Sequence, residues 1–343
     1  MKQQHAAGLA RPWLLADIGG TNARFGWLAD GDNTPSHVRT LAGADHAGPT
    51  AAAAVYLADL ARALGPAYQA PRAAALAVAT AVGGDVVAFT NSGWSFSRAQ
   101  MQAALGLDEL VVLNDFEALA LSLPRLSATQ CRVFGPVTLE DAQRTAPHAA
   151  RAVIGPGTGL GVAGLMPLVG ANGTRWIALP GEGGHATLSA ADEFESALLT
   201  TVRRQFPHVS AERLLSGIGL PVLYAGMAEL LGARADLLAA HEIVARGLAG
   251  SDATCSRVLD SFCALLGSFA GNVALTFGAR GGVYIGGGIV PRLGERFFAS
   301  AFRQRFEAKG RFDDYLAAIP TVLITDTLAA LSGAAMALEQ HRA

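Results

Sequence analysis

The chain has 343 residues, 51% of them hydrophobic and 16% charged, which is enough apolar material for two cores rather than one. Its net charge of −2, with only two lysines (Lys2 and Lys309) and no basic patch, argues against nucleic acid or an anionic membrane as the main partner. Cys131, Cys255 and Cys263 lack CxxC spacing and read as free thiols of a reducing cytosol. With no apolar leader and no uninterrupted apolar window of about 18 residues, the expectation is a soluble cytoplasmic protein.

In chain order, "WLLADIGGTNARFGWLA" (13–29) predicts strand, glycine turn and strand. Residues 50–65 predict a helix, with Thr50 as N-cap and Gly65 as its stop. Residues 73–97 predict two strands separated by Gly83-Gly84, "LVVLND" (110–115) predicts a strand, and "FEALALSL" (116–123) a helix. From Leu121 to His148 there is no strong period, and Pro124, Pro136 and Pro147 suggest the connection between domains. Residues 151–166 again read as strand, glycine turn and strand. Helices are predicted over 191–206, over 210–232 with an interruption near Pro221, and over 255–278. A strand and loop follow over 281–292, then a strand and helix over 321–340. This alternation predicts the α/β class. Setting Thr21 against Thr158 aligns "GGTNARFGWL" with "GTGLGVAGL", the pattern of a duplicated fold with a cleft between its halves.

Three glycine-rich loops, "DIGGTN" (17–22), "GPGTGLG" (155–161) and "GGGIVP" (286–291), could bring backbone N–H groups onto a polyphosphate, or could simply be tight turns. No lysine lies in a G-x-x-x-x-G-K-[ST] context, which excludes a P-loop kinase. A literal G-x-G-x-x-G occurs at Gly159, Gly161 and Gly164. The sequence then continues strand-like through Pro167, so no dinucleotide-binding helix is expected there. Asp17 could face magnesium through water, or shape an Asx-turn. In "LPGEGGHATLS" (179–189), Glu182 and His185 could converge on the adjacent hydroxyls of a sugar; H-E-x-x-H is absent and no cysteine lies nearby, which argues against zinc. Glu212 follows a candidate cap, Ser210, and its acid would equally suit a helix first turn. Asn114 and Asp115, at a strand-to-helix joint, could be a helix cap or a place where chemistry happens.

Taken in order, "DIGGTNARF", "TNSGWSFS", "LNDFEALA", "GPGTGLGVA", "LPGEGGH", "HVSAERLLSG", "GGVYIGGGIVPR" and "FEAKGRF" resemble the bacterial ATP-dependent glucokinase family, of the hexokinase-like, actin-type superfamily, over residues 17 to 313. The resemblance implies a two-domain α/β actin/hexokinase-like (ribonuclease H-like) fold with an interdomain cleft. Residues 12–116 plus about 325–343 would form a small α/β domain, and 117–324 a large one. It implies phosphoryl transfer from MgATP to the 6-hydroxyl of glucose, with Asp115 as general base. Asn114, Glu182, His185 and Glu212 would hold the other sugar hydroxyls. Ala16, Asp17, Ile18, Gly19, Gly20 and Thr21, with Gly157, Thr158, Gly286, Gly287 and Gly288, would hold ATP, and Asp17 would hold Mg2+ through water. A homodimer is also implied. Where the family commonly has a proline-containing turn, this chain has "ATAVGGD" (79–85), which leaves sugar preference open to mannose, fructose or glucosamine. The zinc-binding cysteine motif and N-terminal helix-turn-helix of the related repressors are absent, which argues against a sugar-sensing repressor; the intact Asp115, Glu182 and phosphate loops argue against a non-catalytic sugar-binding regulator. The longer N-terminus is expected to be disordered or peripheral.

Overall fold

The computed structural model describes residues 12–89, 93–171 and 173–341; the N-terminal extension and the "TNS" of "TNSGWSFS" lie outside them. The chain divides into two compact units, one of Met1–Leu126 with Thr327–Ala343, the other of Ser127–Asp326.

The first unit is built on strands β1 (Trp13–Ile18), β2 (Asn22–Leu28), β3 (Ser36–Ala42), β4 (Ala73–Val78) and β7 (Glu109–Asn114), in the order β3-β2-β1-β4-β7. The short strands β5 (Val86–Ala88) and β6 (Ser95–Ser97) form a separate hairpin. β1, β4 and β7 run parallel, while β2 and β3 return antiparallel. β4 reads "AAALAV" and is buried throughout, as expected of a central strand covered on both faces. Alternation divides the strand residues between the two faces. Leu14, Ala16, Ile18, Leu76 and Val78 pack with Tyr56, Leu57 and Leu60 of helix α1 (Pro49–Leu64). Trp13, Leu15, Ala73 and Ala75 pack with Leu331, Ala334 and Leu338 of the C-terminal helix, Ala329–Gln340. Helix α2 (Arg98–Leu105) precedes β7, and α3 (Asp115–Ser122) follows it directly. The C-terminal helix meets α3 at Gly333, where a Cβ would stand 1.7 Å from the Ala118 carbonyl oxygen. That contact ties α3 to the first unit.

The second unit starts with β8 (Cys131–Phe134) and α4 (Leu139–Thr145), two elements in the stretch expected to be irregular. Its sheet adds β9 (Arg151–Pro156), β10 (Leu160–Gly170), β11 (Gly173–Gly181), β12 (Val283–Ile285) and β13 (Thr321–Ile324), in the order β11-β10-β9-β12-β13-β8. An antiparallel meander, β9-β10-β11, again borders parallel strands, β9-β12-β13. The β1–β2 turn with Thr21 and the β9–β10 turn with Thr158 therefore hold equivalent places, which gives the sequence echo its structural basis. Helices α5 (Glu193–Arg203), α6 (Ala211–Leu214), α7 (Leu220–Leu230), α8 (Ala240–Ala249) and α9 (Ala253–Phe277) follow. The short helices α10 (Ile289–Leu293), α11 (Glu295–Phe298), α12 (Phe302–Glu307) and α13 (Asp313–Ala317) complete the unit. α9 is long and apolar enough by composition to cross a membrane, but 72% of its most apolar window is buried within the protein. Gly267 and Gly271 let α12 approach it closely; a Cβ there would stand 2.2 and 2.5 Å from the Phe302 and Phe306 carbonyl oxygens. α9 is the core helix of this unit.

Several boundaries differ from the sequence reading. α1 begins at Pro49 behind Gly48, because proline suits the first turn of a helix, so Thr50 is inside it and not its cap. Gly65 does end α1, with φ 54°. Among the described residues, 73–97 hold three strands, not two. Asp115 is the first residue of α3 rather than the last of the strand. The 210–232 pattern is two helices, with Pro221 in the first turn of the second.

Candidate active site

In the first unit, the candidate residues collect where β1, β4 and β7 end. Ile18, Val78 and Asn114 stand in one row across the three parallel strands, and Asp17 lies one row back. The carboxyl ends of parallel strands are where open α/β sheets bind ligands. Asn114 leaves β7 in extended conformation and caps α3, its side-chain oxygen accepting from Phe116 N at 2.9 Å. Its amide nitrogen donates to the Thr80 carbonyl at 3.2 Å and reaches Val78 O at 3.5 Å. Asn114 N is in turn 3.4 Å from the Glu117 carboxylate, completing a capping box. The joint is thus fixed from three sides, and Asp115 is held in the first turn with its Oδ1 accepting from Phe116 N at 3.0 Å.

Burial pushes the Asp115 carboxyl up to about 6, and the nearby Asp17 charge adds to the rise; local N–H groups and the Asn114 side chain oppose it. Burial likewise raises Asp17, with Arg24 pulling the other way from 3.9 Å. The turn after β1 is closed by Gly19 N donating to Asn22 O at 2.9 Å, and Gly43 N donates to Thr21 O at 2.7 Å. Asp17 itself lies within β1, so it is not the residue that shapes this turn.

In the second unit, the loop after β11 turns once at Gly183–His185. It is then tied to the stretch before α6: Leu188 N donates to Val209 O and Ala211 N to Ala186 O, both at 2.9 Å. This brings Glu182, His185 and Glu212 together. His185 Nε2 is 4.0 Å from Glu182 and 3.8 Å from Glu212, too far for hydrogen bonds, so all three groups keep capacity for a ligand. The Glu182 and His185 side chains are 79% and 61% exposed, whereas Glu212 is only 21% exposed. Ser210 does cap α6, accepting from Arg213 N at 3.2 Å, yet Glu212 does more than sit in a first turn. Its Oε2 accepts from Leu160 N at 2.8 Å, and a Cβ on Gly159 would stand 2.4 Å from that same oxygen. Gly159 thus belongs to the support of Glu212, a role that the literal dinucleotide motif concealed. β10 runs on through Gly164 and Pro167, with no helix opening there.

Gly157 and Thr158 form the β9–β10 turn, where their carbonyls accept from Gly217 N at 2.7 Å and Ile218 N at 3.3 Å. Gly286 N donates to Ile154 O at 2.8 Å, which places the Gly286–Gly288 loop beside the end of β9. Gly287, at φ 77°, is the residue in this loop that needs glycine, since a Cβ would stand 2.5 Å from Pro156 O. Gly19, Gly157 and Gly288 lie outside the left-handed region. The structure groups the expected residues as Ala16–Thr21 with Asn114 and Asp115 in the first unit, and Gly157, Thr158, Glu182, His185, Glu212 and Gly286–Gly288 in the second.

Magnesium requires a hard oxygen set. Among the described residues, no group of three His, Cys, Asp or Glu side chains gathers to hold a metal. Burial desolvates both Asp17 and Asp115, and Asp115 senses the charge of Asp17. That set fits a cation held mostly by water and phosphate oxygens rather than by a protein cage.

The family model for glucokinase matches residues 14–341. This chain belongs to the glucokinase family. It is 50% identical over 328 residues to a glucokinase of Aromatoleum aromaticum, covering 96% of this chain and 95% of that one. It is 46% identical to a glucokinase of Nitrobacter hamburgensis, with 94% and 95% covered. The crystal structure of a glucokinase from an Antarctic psychrotroph superposes with a TM-score of 0.84 at 36% identity, covering 95% of this chain and 98% of that one. The fold is therefore the two-domain α/β hexokinase-like fold, and glucokinase-family chemistry is ATP-dependent phosphorylation of a hexose.

Proposed function

We propose that this chain transfers the γ-phosphoryl group of ATP to the 6-hydroxyl of D-glucose, giving glucose 6-phosphate and ADP, with Asp115 as the general base. The observation that carries the choice of base is the raised Asp115 carboxyl, at about 6, on a rigid strand-to-helix joint. Such a group is ionised at neutral pH and still binds a proton more readily than an ordinary aspartate, as a base working near pH 7 requires.

In this reading Asp115 accepts the 6-hydroxyl proton as the new O–P bond forms. Glu182, His185 and Glu212 hold the remaining hydroxyls, together with Asn114. The Asn114 amide supports this from a fixed position, with one contact, to Val78 O, at the long limit of a hydrogen bond. The backbone of Ala16–Thr21, the Gly157-Thr158 turn and Gly286–Gly288 hold the phosphates. Magnesium, when bound, neutralises charge on the transferring oxygens, and Asp17 would hold it through water. Phosphoryl transfer needs chiefly this positioning and charge stabilisation. The cytoplasm is the natural compartment, since Cys131, Cys255 and Cys263 are all free thiols. A homodimer follows from the family resemblance and is checked by analytical ultracentrifugation. Asp115→Ala should lose about 10²- to 10⁴-fold in turnover. A folded Asp115→Ala enzyme with near-normal turnover would remove Asp115 from this role.

A further inference from the structure

The motif "DIGGTNARF" contains a residue that the proposed function leaves without a task. Asp17 and Arg24 are direct cross-strand partners in the β1–β2 ladder. Residues directly opposite in an antiparallel pair project to the same face. The Arg24 guanidinium stands 3.9 Å from the Asp17 carboxylate, and its Nη1 also donates to the Thr327 carbonyl oxygen at 2.5 Å. Thr327 is the first residue of the segment that returns to the first unit and leads into the C-terminal helix. The guanidinium is therefore anchored at one edge on a backbone carbonyl, with its charge beside a carboxylate that burial has stripped of most of its water. Both approaches are made by Nη1; a lysine could supply the charge, but as a compact, flexible point charge it lacks the planar group that is held on the Thr327 carbonyl.

We propose that Arg24 is a positioning residue for the metal-facing carboxylate: held on the Thr327 carbonyl, its charge stands beside Asp17 and biases where that carboxylate lies, so that Asp17 can orient the water shell of magnesium. This rests on the reading of Asp17 given under the proposed function. Partners that orient a metal-binding group typically matter 10- to 100-fold for metal affinity or activity. Arg24 is then required for the magnesium-dependent part of nucleotide binding and not for nucleotide binding in general.

The test is calorimetric titration of a non-hydrolysable ATP analogue into wild type, Arg24→Lys, Arg24→Gln and Asp17→Asn, with magnesium and with EDTA, so that no turnover is needed. The expected result is that magnesium tightens the analogue's Kd in wild type. Arg24→Gln should lose about 10- to 100-fold of that tightening, and Arg24→Lys should lose a large part of it. Their Kd in EDTA should stay within about twofold of wild type. Added guanidinium ion should restore part of the magnesium response in Arg24→Gln and none in Asp17→Asn. If Asp17→Asn keeps the full magnesium response, the reading of Asp17 is wrong. If Asp17→Asn loses the response but both Arg24 variants keep it, or if they weaken binding equally with magnesium and with EDTA, the positioning role is overturned. Thermal melts of the same variants identify a simple folding defect, which would lower binding in both buffers alike and so count against the proposal.

Discussion

Asp115 is where activity and stability should pull in opposite directions. The carboxyl is lifted from 3.8 to about 6 in the folded chain. At about 1.4 kcal/mol per pH unit, that lift burdens the ionised folded enzyme by roughly 3 kcal/mol, and solvent at the part-buried side chain trims the figure to about 2 kcal/mol. The sign follows from proton linkage. Below about pH 3.8 the group is neutral in both the folded and unfolded states, and the burden is absent. As pH rises through 6 the folded state must hold a charge that the unfolded chain holds more easily, and stability falls. Asp115→Asn cannot ionise and keeps an oxygen able to accept from Phe116 N, while the Asn114 cap is untouched. The variant should thus be more stable than wild type by about 2 kcal/mol at pH 7.5, with the difference shrinking at pH 4.5. At the same time it should lose about 10²- to 10⁴-fold in kcat. Urea denaturation of the ligand-free proteins at both pH values, with a coupled ADP assay, measures both effects. A variant no more stable than wild type at pH 7.5, or one whose gain is unchanged on acidification, would refute the electrostatic reasoning.

Three further outcomes follow from the same geometry. The acid limb of kcat/KM for the wild-type enzyme should have its midpoint near pH 6, the value of the Asp115 carboxyl, and a pH–rate profile with saturating MgATP checks it. Glu182→Gln should raise KM for glucose by about 10- to 100-fold, the worth of one hydrogen bond to a charged group, and leave the thermal melt almost unmoved because the side chain is 79% exposed. Gly333→Ala puts a Cβ where only 1.7 Å separates it from the Ala118 carbonyl, so it should destabilise the protein by about 3 kcal/mol in chemical denaturation.

Sequence carried the outline of this protein well where local chemistry is decisive. The strand within "LVVLND", the helix stop at Gly65 and the strand-like continuation through Pro167 are all written in residues next to the feature they control. Contacts made across long sequence separations were not legible. Thr50 lost the cap of α1 to a Pro49 start, since a proline needs no N–H partner in a first turn. β11 was missed because the reading began at Leu179, inside a nine-residue edge strand that has no buried residue. Gly159 looked like part of a nucleotide motif, yet what it provides is room for the Glu212 carboxylate 53 positions later in the chain. Of the glycines in these loops, Gly287 uses a left-handed φ, whereas Gly19, Gly157 and Gly288 do not. Arg24 could have been found from strand register alone, because a short turn between Ile18 and Asn22 sets residue 24 opposite Asp17.

The central claim is glucose phosphorylation at the 6-hydroxyl with MgATP as donor, and the most direct test is ADP release over a panel of glucose, mannose, fructose and glucosamine, with and without magnesium. The account predicts magnesium-dependent ADP release with glucose as the preferred acceptor and glucose 6-phosphate as the product. Preference for another hexose, a product phosphorylated elsewhere on the ring, or glucose-dependent stabilisation of the protein without any ADP would contradict it.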